Sequence, residues 1–204
     1  MGFFKKDPDK QVRNLLRVRE EACAKEEWGE AVKAGEKLAQ ILIDIGDKQT
    51  EGVVYNNMAT DYLSSGNAKE AVKCGEKALD IAKDIANKQL ESGCYSTLGS
   101  ACRAAGDIEK AIEYHQKSLQ IGKDIKNKGL EFYGYTGLGE DYRKLKEFNK
   151  AIESYEKALG IAKNVGDRKN ASGVHIRLAE IYKSMKNRKK AAEHTEKAKV
   201  FLGL

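Results

Sequence analysis

Three histidines and four cysteines are the side chains best suited to acid–base, metal or nucleophilic chemistry in this chain, and their spacing matches none of the usual arrangements. A zinc hydrolase places two histidines four apart on one helix beside a glutamate. Acyl transfer sets a serine in a glycine-flanked elbow, and nucleotide binding sets glycines in a phosphate loop. His115, His175 and His194 stand 60 and 19 residues apart with none of these patterns around them. Cys23, Cys74, Cys94 and Cys102 include no C-x-x-C pair and form no metal-ligand cluster. Cys94 and Cys102 fall on one predicted helix, roughly 12 Å apart by helical rise, too far for a disulfide. Reduced, mostly buried thiols of a cytoplasmic protein are expected. Gly93, Gly99, Gly134, Gly137 and Gly139 lie within helical periodicity, not in a loop. The chain is predicted to be no enzyme and to need no cofactor or metal.

The residues that do recur with a fixed spacing are small, apolar or charged. Ala31, Ala71, Ala111, Ala151 and Ala191 are each 40 residues apart, and Lys37, Lys77, Lys117, Lys157 and Lys197 keep the same step. So do Ile41, Ile81, Ile121 and Ile161, and the corner residues Asp47, Asn87, Asn127 and Asp167. Such a period marks a stacked array whose units cannot bury their apolar faces alone.

Within residues 87–126, Asn87 is a plausible N-cap, followed by Leu90, Cys94, Leu98, Ala101 and Cys102 at helical spacing. Gly106-Asp107 stops and recaps the chain before Ile108, Ala111, Ile112, Leu119, Ile121 and Ile125. Two helices of about 18 residues joined by a short corner make an antiparallel hairpin. Glycine inside a helix costs roughly 0.5–1 kcal/mol against alanine. Gly99 and Gly139 on first helices, like the alanine column on second helices, therefore imply close backbone approach. Residues 1–7 are expected to be a flexible tail, with Asp7-Pro8 opening the first helix. Residues 8–204 then form a single array with repeats at about 8–46, 47–86, 87–126, 127–166 and 167–204. No membrane span is expected. The opening residues resemble neither a signal peptide nor a myristoylation site, since Lys6 stands where Ser or Thr is wanted.

These positions resemble the tetratricopeptide repeat. Leu98-Gly99, Gly106, Ala111 and Ser118 carry its signature, as do Leu138-Gly139, Tyr142, Ala151, Tyr155 and Ala158. Met58, Tyr62, Gly66, Ala71 and Ala78 form a third set, and Leu178, Tyr182, Ala191 and Ala198 a fourth. The first repeat keeps Trp28 and Ala31 but has Val18-Arg19 in the Leu-Gly slot. The likeness covers roughly residues 10 to 202 and departs from the family in its longer unit, 40 residues against 34. It implies an all-α, right-handed solenoid of five antiparallel helix hairpins. In that family His115 occupies a packing slot for aromatics, which implies a structural role. The corners, such as Ile161 to Arg168, are similar to those of the Leu-Gly-Asn repeat adaptors of cell-polarity complexes. Those adaptors bind an extended partner segment through Asn and Arg on their first helices. This chain has Thr60, Ser100, Glu140 and Glu180 in the Asn slot, and only Arg13 keeps the Arg slot.

The resemblance implies a concave groove lined by first helices: Arg13, Asn56, Thr60, Ser96, Ser100, Arg103, Tyr133, Thr136, Glu140, Arg143 and Arg177. Amides and hydroxyls there suit the backbone of an extended peptide, Tyr133 suits an anchoring contact, and Arg103 or Arg143 suits carboxylates. The competing reading is a polar wall on which the i,i+3 pairs Glu140–Arg143 and Glu180–Lys183 neutralise themselves. The lysine column is expected on the outer face, solvated among acids. The expected function is a protein-interaction scaffold or adaptor for a protein or extended peptide. One alternative is a self-associating scaffold, a homo-oligomer stacked through Val200, Phe201, Leu202 and Leu204 of the last helix. The other is a basic helical-repeat binder of nucleic acid. From residue 181 onward seven basic residues face only Glu193 and Glu196, but no nucleic-acid motif accompanies them, which disfavours that partner. If the alanine column marks the tightest joints, Ala111→Leu should lower stability by roughly 1–3 kcal/mol. An unchanged denaturation midpoint would refute that placement.

Overall fold

The structure, a computed structural model, describes residues 7–202. Among these residues it has ten α-helices and no strand. They are α1 (Pro8–Ala24), α2 (Trp28–Ile45), α3 (Lys48–Ser64), α4 (Ala68–Asp84), α5 (Lys88–Ala105), α6 (Ile108–Asp124), α7 (Lys128–Lys144), α8 (Phe148–Asn164), α9 (Arg168–Ser184) and α10 (Arg188–Leu202). The expected N-terminal tail lies outside the described residues apart from Asp7, as does Leu204. Asp7 accepts a bond from the Asp9 amide and Pro8 occupies the first helical position.

Single polar residues end one helix and begin the next. The Asp47 amide donates to the Leu42 carbonyl, closing α2, while its carboxylate accepts from the Thr50 amide, opening α3. Asn67, Asn87, Asn127, Asp167 and Asn187 do the same at later corners. The backbone bond satisfies an orphan carbonyl of the outgoing helix and the side chain an orphan amide of the incoming one. Just before these residues the chain turns through a left-handed φ. Gly46, Gly66, Gly106 and Gly166 take φ of 77°, 79°, 92° and 73°, while Glu26, Ala86, Lys126, Lys146 and Lys186 take 53–61°.

The chain divides into two compact units, one ending at Gly106 and one beginning at Asp107. In the first, α1/α2 and α3/α4 are antiparallel hairpins, and α5 packs on α4 and α3. In the second, α6 packs on α7, ahead of the hairpins α7/α8 and α9/α10. The first core is built from Val32, Leu38, Leu42, Val54 and Met58, and the second from Phe132, Tyr155, Leu159, Val174, Leu178 and Ile181. Ala31, Ala71, Ala111 and Ala151 are wholly buried and Ala191 nearly so. Ile125 departs from the expected apolar stripe: it caps the end of α6, beyond the packed turns, and is 39% exposed.

Close approach is achieved by pairing a glycine with a large side chain. In the first unit Gly35 and Gly75 on second helices face Met58 and Leu98, while Gly52 on the first helix α3 faces Leu90 and Ile81. In the second unit Gly137 and Gly139 of α7 lie against the rings of His115 and Tyr155, while Gly122 of α6 lies against Leu130 and Glu131 of α7. A Cβ on Gly137 would lie 2.4 Å from the His115 ring, whereas one on Gly173 would meet nothing within 4 Å. Helix propensity alone favours alanine over glycine by about 1 kcal/mol. Gly173→Ala should therefore raise stability by roughly that amount. Gly137→Ala should lower it by roughly 1–3 kcal/mol as overpacking outweighs propensity. Urea midpoints moving in the same direction for both variants would refute the assignment.

Candidate functional site

The side chains with catalytic potential are held in packing and in buried pairs. Arg19 of α1 donates two-pronged to Asp61 of α3, with contacts of 2.7, 2.9 and 3.1 Å, and Asp61 is 2% exposed. Cys23 donates weakly to the same carboxylate at 3.6 Å. Burial and the Asp61 charge push its thiol above the ordinary range, away from the reactive thiolate. His115 Nδ1 lies 2.5 Å from Asp141 Oδ2, both buried. His175 Nδ1 lies 2.9 Å from His194 Nδ1, and the two rings stack with Phe201 and Tyr182 respectively. All four cysteines are free, Cys94 and Cys102 buried and Cys23 and Cys74 half-buried. Among the described residues, no group of three or more His, Cys, Asp or Glu side chains is placed to hold a metal. No described helix is long and apolar enough to cross a membrane.

The expected groove residues occupy the first helices of both units. In the first unit, Arg13 of α1 is exposed and Asn56 and Thr60 share a face of α3 with Val53, which is 41% exposed. Asn56 Oδ1 is buried without a hydrogen-bond partner. Thr60 Oγ1 donates back to the Asn56 carbonyl at 3.3 Å. On α5, Ser96, Ser100 and Arg103 are half-buried, and the Arg103 guanidinium donates to Ser100 Oγ at 3.3 Å.

In the second unit the wall is largely self-satisfied. Thr136 Oγ1 donates to the carbonyls of Phe132 and Tyr133, so this hydroxyl proton is committed to its own helix. Arg143 donates to Glu140 at 2.6 Å, the expected i,i+3 pair. The pairing expected between Glu180 and Lys183 is replaced by Arg177, which reaches Glu180 at 3.2 Å and Glu140 of α7 at 3.2 Å. Tyr155 of α8 completes the group, its hydroxyl donating to Glu140 Oε1 at 2.6 Å. Burial pushes the Glu140 carboxyl up, but Tyr155, Arg143 and Arg177 together outweigh burial and hold it below the usual range. The same burial and the adjacent carboxylate push the Tyr155 hydroxyl well above its ordinary value. Arg143 is therefore engaged already, whereas Tyr133 and Arg177 remain 55% and 50% exposed.

The lysine column is exposed as expected. Its partners are the acids one turn earlier, not the adjacent ones: Lys117 pairs with Glu113, Lys157 with Glu153 and Lys197 with Glu193. Lys77 instead donates to the Tyr55 hydroxyl and lies over its ring. At the end of α10, Phe201 folds back onto His175, while Val200 is 66% exposed.

The family model described as tetratricopeptide repeat matches residues 50–124 and 132–199. With well over half of its length matched, the chain belongs to the tetratricopeptide repeat family. None of the curated proteins matches it. Among solved structures, it is similar to BtubC from P. vanneervenii, at 19% identity and a TM-score of 0.68, covering 98% of this chain and 92% of that one. The apo form of RapI shares 17% identity with a TM-score of 0.79, over 94% of this chain and 70% of the other. A signal-transduction ATPase with a tetratricopeptide repeat sensor from Pyrococcus horikoshii shares 24% identity with a TM-score of 0.77, over 95% of this chain but 30% of its own. At such identities the likeness is one of fold.

The histidine pair generates a pH dependence. Burial, then the neighbouring His194 and the charges of Lys163 and Lys197, push His175 down to about 4 from an ordinary 6.5. Below its ordinary value the unfolded chain binds the proton more readily than the folded one, so stability falls with pH. The contribution is present above pH 6.5 and is lost progressively towards pH 4. The urea midpoint should drop between neutral pH and about pH 5. That drop should shrink in His175→Phe, and an identical drop in the variant would refute the assignment.

Proposed function

We propose that this chain is a non-enzymatic protein-interaction scaffold that holds an extended segment of a partner protein along its first helices. The observation carrying this reading is the exposure of large apolar side chains in mid-helix there: Val53 on α3 (41%), Tyr133 on α7 (55%) and Ile176 on α9 (44%). Second helices present mainly neutralised Lys–Glu pairs instead. In the first unit, half-buried Asn56 and Ser96 and exposed Arg13 offer polar contacts to a peptide backbone. In the second, Glu140 and its partners consume most of the charge, so Tyr133 and Ile176 act as apolar anchors, with Arg177 at their edge. Membership of the tetratricopeptide repeat family supports the scaffold role, and the corner likeness to the Leu-Gly-Asn adaptors supports an extended ligand. Four free cysteines support a cytoplasmic location.

The test is affinity capture with the wild-type chain, a wall variant and an outer-face control. Val53, Tyr133 and Ile176 are replaced by serine in the wall variant, and Lys117 and Lys157 by serine in the control. Partners captured by wild type and control should be lost from the wall variant, whose folding is checked by circular dichroism. Equal capture by all three chains would overturn the reading.

A further inference from the structure

The second unit carries an uncompensated basic edge distinct from the first-helix wall. It is formed by the α7–α8 and α9–α10 corners, where Lys144, Lys146, Lys183, Lys186, Arg188 and Lys189 are all exposed. None of the six forms an ion pair among the described residues. Elsewhere many exposed lysines are neutralised, as Lys33 is by Glu30 and Lys73 by Glu70, and those without an ion pair, such as Lys37, Lys69 and Lys163, are scattered instead of gathered at neighbouring corners. Residues 144–150 hold one acid, Glu147, which Lys150 occupies, and residues 183–190 hold none.

Structural roles account for only some of this charge. Lys144 and Lys183 complement the negative ends of α7 and α9. Arg188 and Lys189 sit at the positive end of α10, where the same dipole disfavours them. Lys146 and Lys186 hold φ of 61° and 59° in the corner place where the first unit has Gly66 and Gly106. Glycine would relieve that backbone, as it does at Gly66 and Gly106, so local conformation does not call for lysine there.

The two corners meet at a shallow depression of about 450 Å³ lined by Lys146, Glu147, Phe148, Asn149, Lys150 and Met185, the Glu147 carboxylate being held by Lys150. Leu145 and Met185 are 36% and 41% exposed beside it. We propose that this edge docks a carboxylate-rich peptide segment of a partner protein, with one of its apolar side chains seated in the depression against Met185. Charge complementarity selects the acidic segment, and an adaptable methionine suits an apolar side chain. A single-stranded nucleic acid would call for exposed aromatic platforms, but Phe148, the ring in the depression, is half-buried. A membrane surface favours a broad apolar helix face that enters the lipid, and here Leu145 and Met185 are isolated among exposed lysines.

The test uses the full chain and a fluorescein-labelled peptide of alternating Asp-Glu pairs and leucines, read by anisotropy. An unstructured RNA oligonucleotide and phosphatidylserine vesicles serve as competing probes. Wild type should bind the peptide most tightly, with affinity falling as salt is added. Combined Lys146→Glu, Lys186→Glu and Lys189→Glu should weaken it by about tenfold or more, as three surface charge contacts would. Met185→Ser should weaken it severalfold, and reversal of the paired Lys117 and Lys157 should leave it unchanged. Lys189→Glu alone should raise the melting temperature through the helix dipole, separating lost docking from lost folding. No peptide binding, tighter binding of RNA or vesicles, or equal loss in the control reversal would overturn the proposal. Because the wall residues are untouched, this outcome is independent of the scaffold reading.

Discussion

Close approach of neighbouring helices, made possible by a side chain absent on one of them, is the constraint on which the structure depends. At each joint described, a glycine or alanine on one helix receives a bulkier residue from another, and the alanine column has essentially no accessible surface. The alanine keeps its place in every repeat, whereas the glycine that admits a large side chain changes helix from joint to joint. Gly35 with Met58 and Gly137 with His115 solve the same packing problem from opposite sides. Interiors packed to this density leave little room for either a missing or an added methylene.

Charge is used within this frame to decide which helix faces which. The Arg19–Asp61 ion pair ties α1 to α3, and a hydrogen bond between His115 and Asp141 ties α6 to α7. A buried ion pair contributes little net stability compared with a well-packed apolar pair, but loss of one partner costs about 3–5 kcal/mol. Such pairs penalise mispairing of helices whose apolar faces are otherwise alike. The Glu140 group does this at the wall itself, joining α7, α8 and α9 through one carboxylate. It also leaves that face of α7 and α9 with exposed Tyr133 and Ile176 beside carboxylates that are already paired.

The helices and their ends were legible because they rest on local chemistry. Asp7-Pro8, the Asn and Asp corners and the alanine column each act over a few residues, and all lie where their types require. Partnerships across the fold were not. Asp61 and Asp141 share a column with Ala101 and Ile181, which signals a buried carboxylate in need of a donor, but Arg19 is 42 residues from the first. Tyr155 looked like packing and also serves as the donor to Glu140. Arg177 displaced Lys183 as the partner of Glu180 because its fork reaches two carboxylates at once. Which face of each wall is already satisfied depends on these distant encounters.

The way helices lean on one another has a mechanical consequence. Within each unit the main supports are between helices adjacent in chain order, with the step from α3 to α5 the longest. A tensile load along such a unit is borne by joints in series, so each must carry the full force instead of sharing it. Extension should proceed by peeling one hairpin after another, each lengthening the tether by roughly 140 Å for about 40 residues of extended chain. In this respect each unit is a compliant element, yielding one hairpin at a time where a barrel or sandwich would hold and then fail at once.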